Sequence, residues 1–536
     1  MKKLLVLFLA AFVTVGVVGT ASAVDYARNL NSGEYITPPV ASGDTVYVLA
    51  TGTVGNGATL FQINPSTGVS AYLTGTYNGK AAAGASAYTG PVLYQASGDS
   101  GVTLVMQVVQ TPATIGSTAG QNAAQWELGG TSVYAFYFSP TNGVGVTHFN
   151  NAAISLGHMS GGITAFYTQN DAGLFAGVSS WSSHLLVDAD TTTGGTSVFG
   201  TSGVSAYAGA SIWSIGLGTV SGGARLNSNA FNGNSAATRG VSGFSTPLLI
   251  SGNSLFAIGD YRYTAAASGV SLLMFDKRKL QAGPNKAVEL VGAQQTPGIT
   301  PFPTPAISGN SIFVVDGVGG LTAYSISSTN LLPQARNALD FVQLGNTVTT
   351  AVSASPVCDT QFLAVAVNHL GTAVAGITVF RIDNKAIRST SGTSWWYEWT
   401  AGTTIAATPV ISNGNLYVAV NSRNNGSTLH RFVMNRAAQG HIQAPDQSWT
   451  VDANGAAFGF IETNGLILAN GRLIALSNHG GAKRIYSIDV TNSALGYSYW
   501  RQFKFDAARS GNNTRSPDVV PAVEDDDDTC FISTLK

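Results

Sequence analysis

A short phrase recurs along this chain at intervals of just over fifty residues, and that recurrence limits the possible folds more than any other feature. It reads "TPLLISGNSLFAIGD" from Thr246, "TPAISGNSIFVVDG" from Thr304, "SPVCDTQFLAVAVN" from Ser355 and "TPVISNGNLYVAVN" from Thr408. The prolines Pro247, Pro305, Pro356 and Pro409 lie 58, 51 and 53 residues apart. A weaker copy, "GLILANGRLIALSN", starts at Gly465, and "PPVASGDTVYVLA" at Pro38 and "GPVLYQASGDSGVTLVM" at Gly90 carry the phrase near the start. Self-similarity at such a period marks an architecture of stacked units.

Each copy predicts the same local structure. The apolar run after Pro reads as a strand, with Pro at its first position, where the missing N–H costs no ladder bond. "SGN" or "SNGN" supplies residues that tolerate left-handed backbone in a tight hairpin, and "SIFVV" or "NLYVAV" returns as the second strand. A third strand follows in "ATLFQINPSTG" from Ala58, "GLTAYSIS" from Gly320, "GITVFRID" from Gly376 and "RIYSIDV" from Arg484, and a tryptophan then closes the unit at Trp399, Trp449 and Trp500. Three or four short strands cannot bury both of their faces alone, so the units must press on one another. Radial stacking gives a β-propeller and linear stacking a β-solenoid, whose repeats are usually shorter. The expected fold is therefore all-β: a propeller of about eight blades, with seven or nine as alternatives, because the phrase fades across the 156 residues between Pro91 and Pro247. Within that gap "TSVYAFYFSP", "GGITAFYTQN" and "GASIWSIGLG" still read as strands.

Composition narrows the setting. Only 10% of the 536 residues are charged, against about 25% in ordinary soluble domains, so Ser, Thr, Asn and Gly must clothe the surface. With 26 basic and 27 acidic residues and no Lys/Arg stripe, nucleic acid is not an expected partner. Residues 1–23 read as a signal peptide: Lys2 and Lys3, an apolar run from Leu4 to Val18, then the small residues Ala21, Ser22 and Ala23, with cleavage expected before Val24 and an uncleaved anchor as the alternative. The two cysteines, Cys358 and Cys530, are separated by 171 residues and are expected to be free thiols. The expected organisation is thus a leader (1–23), a propeller (24–515) and an acidic, disordered tail (516–536) in which Glu524 to Asp528 repel and extend the backbone.

Hairpins such as "TPVISNGNLYVAV" followed by "LFQINPSTG" and a tryptophan resemble the repeats of quinoprotein-like (PQQ-like) β-propellers. The stretch "YWRQFKFDAARSGNN" is similar to a phrase of that family through Trp500, Phe503, Asp506, Ser510 and Gly511. The resemblance implies that Trp449 and Trp500 pack between neighbouring blades, with Phe503, Asp506 and Gly511 forming a blade junction near ring closure. It covers residues 36–110 and 240–515. A redox member of the family would need pyrroloquinoline quinone, a calcium site, an aspartate base and often a disulfide between adjacent cysteines; this chain has no adjacent cysteines. Calcium and pyrroloquinoline quinone therefore enter by resemblance only. The final "CFISTLK" distantly resembles a C-terminal sorting phrase of some secreted bacterial proteins, which would make Cys530 an attachment site.

No catalytic residue can be assigned from the sequence. The acids Glu127, Asp260, Asp316 and Glu398 belong to no cofactor motif, and the seven histidines stand singly, without metal-ligand spacing, and most read as loop or surface residues. "GHMSGG" around Ser160 misses nucleophile-elbow spacing by one position, and "GLGTVSGG" lacks a following helix to hold an anion. The strongest candidate for binding is "SWWYEW": Trp395, Trp396, Glu398 and Trp399 could hold a sugar face beside a carboxylate, or fill an interblade junction. Strand alternation predicts that one set is buried and the other exposed. The expected function is a secreted, non-catalytic binding or assembly module in the periplasm or at the cell surface, with an envelope protein or glycan as partner. A quinoprotein-type oxidoreductase with its site between Gln110 and Arg239, and a surface-layer or filament subunit, are the alternatives.

Overall fold

A computed structural model describes, with breaks, residues 26–110 and 246–490 and, between them, the strands lying from 132 to 244. Side chains are placed for residues 39–41, 45–48, 63–64 and many of those from 246 to 490. Within these residues the chain is all-β and no α-helix occurs. The expected leader, the tail, and Trp500, Phe503, Asp506, Gly511 and Cys530 lie outside the described residues.

The described strands form eight antiparallel sheets of four to six strands, which follow one another along the chain. In order they span 35–74, 85–155, 185–227, 240–295, 306–338, 350–398, 403–449 and 460–489. The eighth takes its fourth strand from the other end of the described chain: Tyr26–Leu30 pairs with Ala482–Asp489, Tyr26 opposite Ser487 and Leu30 opposite Lys483. Each sheet touches the next in sequence, and the strand Val40–Ser42 of the first touches Phe460–Ala469 of the eighth.

Where the recurring phrase occurs, it builds a hairpin at the start of the sheet. Ser308 pairs with Ser311 across a two-residue turn whose first residue, Gly309, has φ 55°. In the eighth sheet Ala469 pairs with Arg472 across Asn470 and Gly471, both left-handed at φ 44° and 70°. Two consecutive left-handed residues match the twist of the strands they join, so an Asn-Gly pair belongs there. The inner strand differs from expectation in one respect. It is divided into two pieces on the same partner, as in Thr403–Thr404 and Val410–Ser412 against Asn415–Ser422, or Thr350–Ala351 and Val357–Cys358 against Phe362–His369. Pro356 and Pro409 stand just before the second piece rather than at its first position. The break gives proline a place with no ladder bond to lose.

Strand composition explains why the sheets stack. The second strands are apolar without alternation, which signals burial on both faces. In Phe362–His369, Leu363, Val365 and Val367 join a core shared with the fourth and fifth sheets, whereas Ala364 and Ala366 join one shared with the seventh. In Asn415–Ser422, Leu416, Val418 and Val420 face the sixth sheet while Tyr417 and Ala419 face the eighth. In Arg472–His479, Leu473 and Ala475 face back to the seventh, and Ile474 and Leu476 pack with Val46, Val48 and Ile63 of the first.

Polar side chains join the same neighbours, and they do so between equivalent positions of the repeat. Thr408 Oγ1 accepts from Ser355 N, 53 residues away, and these residues precede Pro409 and Pro356. Ser308 Oγ donates to Asp359 O and Cys358 Sγ to Ile307 O, both over 51 residues. Further out, one amide spans each of two junctions, sixth to seventh and seventh to eighth: Asn368 Nδ2 donates to Ile405 O (2.9 Å) while its Oδ1 accepts from Ile405 N (2.7 Å). Asn421 does the same to Ile461, at 3.0 and 2.9 Å. An amide carries both a donor and an acceptor, so it can satisfy the N–H and the C=O of one residue at once. Asn421→Ala removes the bond to Ile461 O and one of the two acceptors of Ile461 N, the other being Ser427 Oγ at 3.0 Å, and is expected to lower the stability of the protein by about 1–3 kcal/mol. Urea denaturation should show this as a lower midpoint at unchanged slope, and Asn368→Ala should behave alike.

Candidate functional site

The "SWWYEW" stretch forms the outer strand of the sixth sheet, Ser394–Glu398, paired with Val374–Asp383. Trp395 lies opposite Val379, Trp396 opposite Thr378, Tyr397 opposite Ile377 and Glu398 opposite Gly376. Trp399 extends the ladder by donating its N–H to Ala375 O. Alternation then sorts the six residues into two groups with different surroundings.

Trp395, Tyr397 and Trp399 face the seventh sheet. All three rings converge on Phe432 of the strand Gly426–Val433, at centroid distances of 5.5, 5.6 and 6.0 Å, and Tyr397 meets Trp399 edge-on at 5.0 Å. Trp395 is 1% exposed. Trp399 Nε1 donates to His430 Nε2 at 3.0 Å, and His430 Nδ1 lies 2.8 Å from Ser448 Oγ. Aromatic pairs in tilted and edge-on contact contribute beyond their buried area. These three residues therefore bind the sixth sheet to the seventh.

Trp396 and Glu398 point to the opposite face, both partly exposed. An indole and a carboxylate two residues apart on one face of an edge strand can offer a stacking surface and a hydrogen-bond acceptor side by side. Trp396 and Trp399 consequently do not form two walls of a single slot. Trp449, at the end of Gln447–Trp449, is also 1% exposed and packs 6.5 Å from Tyr417 in the core shared by the seventh and eighth sheets. Next to it Arg431 donates from Nε and Nη2 to Asp446 Oδ2, and that bond holds the guanidinium above its ordinary range.

His430 is buried rather than a loop or surface residue, and burial pushes its pKa down to about 4. No motif marks it; the only cue in the sequence is its apolar surroundings, "LHRF". Nor does a motif mark the amides of Asn368 and Asn421, although each ends the same run, "VAVN". Asp316 and Asp359 are buried near turns: Asp316 Oδ1 accepts from Gly320 N, and Asp359 Oδ1 accepts from Gln361 N and Phe362 N at 2.7 Å. Burial raises the Asp359 carboxyl, and its two backbone donors oppose the rise. Cys358 is a free, fully buried thiol, raised well above its usual range by burial and then by Asp359. Glu127 lies outside the described residues, and among the described residues no three His, Cys, Asp or Glu side chains cluster as metal ligands.

The sorting of the aromatic strand predicts unequal costs. Trp395→Ala should lower stability by about 3–5 kcal/mol, the range for emptying a buried aromatic site, whereas Trp396→Ala should cost about 1 kcal/mol or less. Chemical denaturation of the two variants checks this. Cys358 should stay unmodified by a thiol reagent in native buffer and react once denaturant unfolds the chain, because a buried, un-ionised thiol is a poor nucleophile.

No family model matches the chain, and no curated protein matches it in sequence. Solved structures similar to it include Sqt1 of Saccharomyces cerevisiae, at 8% identity and a TM-score of 0.45 over 88% of this chain and 99% of that one. The computationally designed Ika8 protein matches at 11% identity and a TM-score of 0.44, over 87% and 98%. A europium-containing methanol dehydrogenase matches at 11% identity and a TM-score of 0.29, over 49% and 51%. At these identities and TM-scores the likenesses assign neither a family nor an activity to this chain.

Proposed function

We propose that this chain is a secreted, non-catalytic β-propeller of eight blades that works as a binding or assembly module of the cell envelope, with a protein or glycan partner. One observation carries the propeller: the side-chain bonds between neighbouring sheets connect equivalent positions of successive repeats, Ser355 with Thr408 and Ile307 with Cys358. Units related by a constant rotation about one axis bring like against like in this way. The packing of Val46 and Val48 on Ile474 and Leu476, which brings the first sheet to the last, supports a ring over an open stack. The leader read in residues 1–23 supports export.

The binding reading rests on how the polar groups are used. Asn368, Asn421, Thr408, Ser308, Asp359 and His430 are all spent on holding backbone or neighbouring sheets. Trp396 and Glu398 stand at an outer edge, on the face turned away from the Phe432 cluster, and form the surface best suited to a sugar or a polar protein loop. Stacking on one indole with a hydrogen bond to the carboxylate would orient such a partner.

Two measurements test this. Small-angle scattering of residues 24–515 should give a radius of gyration of about 23 Å, the value for a compact body of about 490 residues; a much larger value with a rod-like profile would replace the ring by an open stack. Immobilised protein should retain a protein or glycan from envelope extract, and Trp396→Ala should lose most of that retention while unfolding at nearly the same denaturant concentration. Dye reduction with alcohols or sugars after addition of calcium and pyrroloquinoline quinone would instead establish the oxidoreductase reading.

A further inference from the structure

Among the described residues, the junction between the sixth and seventh sheets contains one titratable group that is buried and held only by neutral partners, His430. Both of its ring nitrogens are engaged, with Trp399 Nε1 at 3.0 Å and Ser448 Oγ at 2.8 Å. An indole nitrogen can only donate, so His430 Nε2 must carry the lone pair and Nδ1 the hydrogen, which it donates to Ser448. The ring is further enclosed by Trp399 at 5.3 Å and Phe432 at 6.5 Å.

Among the described residues, the charged and titratable groups of the surrounding strands lie elsewhere. On its own strand and on Gln447–Trp449, Arg431 and Asp446 bond to each other. Arg431 and Tyr417 alternate away from His430, toward the eighth sheet. On the facing strand Tyr397 belongs to the aromatic cluster around Phe432, and Glu398 alternates to the opposite face. Val418 lies opposite His430 on Asn415–Ser422. None of these carboxylates faces the imidazole, and a second ring N–H would point at another donor.

We infer that Trp399, His430 and Ser448 form an acid-sensitive latch: a proton on His430 Nε2 displaces the Trp399 indole and frees the outer strand Ser394–Glu398 from the seventh sheet. The inner part of the same junction is held by Asn368 on Ile405 and by Thr408 on Ser355, which carry no titratable group in this range, so the opening is confined to the outer edge. The strand released carries Trp396 and Glu398. The latch therefore links acidity to the face proposed for binding, although it does not depend on that proposal.

The direction follows from linkage. The folded state holds His430 near 4, below its ordinary value of 6.5. The latch thus contributes fully above about pH 6.5 and is lost progressively as pH falls toward 4, with the opening equilibrium rising on the order of 50- to 100-fold by about pH 4.5. Amide hydrogen exchange on the intact protein, corrected for the intrinsic pH dependence, should show that loss of protection in 394–399 and 447–449 and much less in 403–412. In His430→Gln, whose amide oxygen can still accept from the indole but does not titrate, protection should change by less than about threefold. Equal loss in the variant, or none in the native protein, overturns the latch. Should His430→Gln fail to fold, NMR titration of His430 decides: it should titrate below about 5 in the native protein and higher in Trp399→Phe, which removes the indole N–H. A native value near 6.5, or no rise in Trp399→Phe, also overturns it.

Discussion

A sheet that is apolar on both faces cannot be finished by its own unit, and each additional sheet covers one face while presenting another. Leu363, Val365 and Val367 need a neighbour on one side, and Ala364 and Ala366 need one on the other. A row of such sheets must end in an exposed apolar face, be capped by something of different composition, or return to its start. Ile474 and Leu476 of the eighth sheet pack with Val46 and Val48 of the first, so these two sheets cover an apolar face of one another. Every other feature, from the broken inner strands to the aromatic outer edge, is arranged around that requirement.

Apolar burial is non-directional, so it would hold neighbouring sheets together without fixing their offset. The hydrogen bonds between equivalent positions provide the registration. Asn368 and Asn421 each take both backbone groups of a single residue, which fixes the next unit in height as well as distance. Their net energy is modest compared with the buried area, but the cost of a mismatch is large because the groups are out of water. Near the outer edge the same purpose is served by rings rather than amides, through Trp395, Tyr397, Trp399 and Phe432.

Much of this was legible in the sequence, and the rest was hidden for identifiable reasons. The hairpins followed from "SGN" and "NG" between apolar runs, and the third strands from "GLTAYSIS" and "RIYSIDV", because turn chemistry and strand composition are local. The division of the inner strand was missed: a proline beside an apolar run is compatible both with the first position of a strand and with a gap in it, and only the partner strand distinguishes the two. Alternation places Trp395 and Trp396 on opposite faces but does not say which face meets the next sheet. The burial of His430 depends on Trp399 and Ser448, which lie 31 and 18 residues away, and no local pattern encodes such a meeting. Between Gln110 and Arg239 the proline-led phrase is absent, so only isolated strands could be read.

The pairing of Tyr26–Leu30 with Ala482–Asp489 has a temporal side. These strands are separated by more than four hundred residues, and a ribosome adding about 5–20 residues per second delivers the second roughly 20–90 s after the first. Through that interval the early strand has an open edge with no native mate. Its "YARNL" carries an arginine and an asparagine between its hydrophobic residues, which makes it a poor template for indiscriminate edge-to-edge association while it waits.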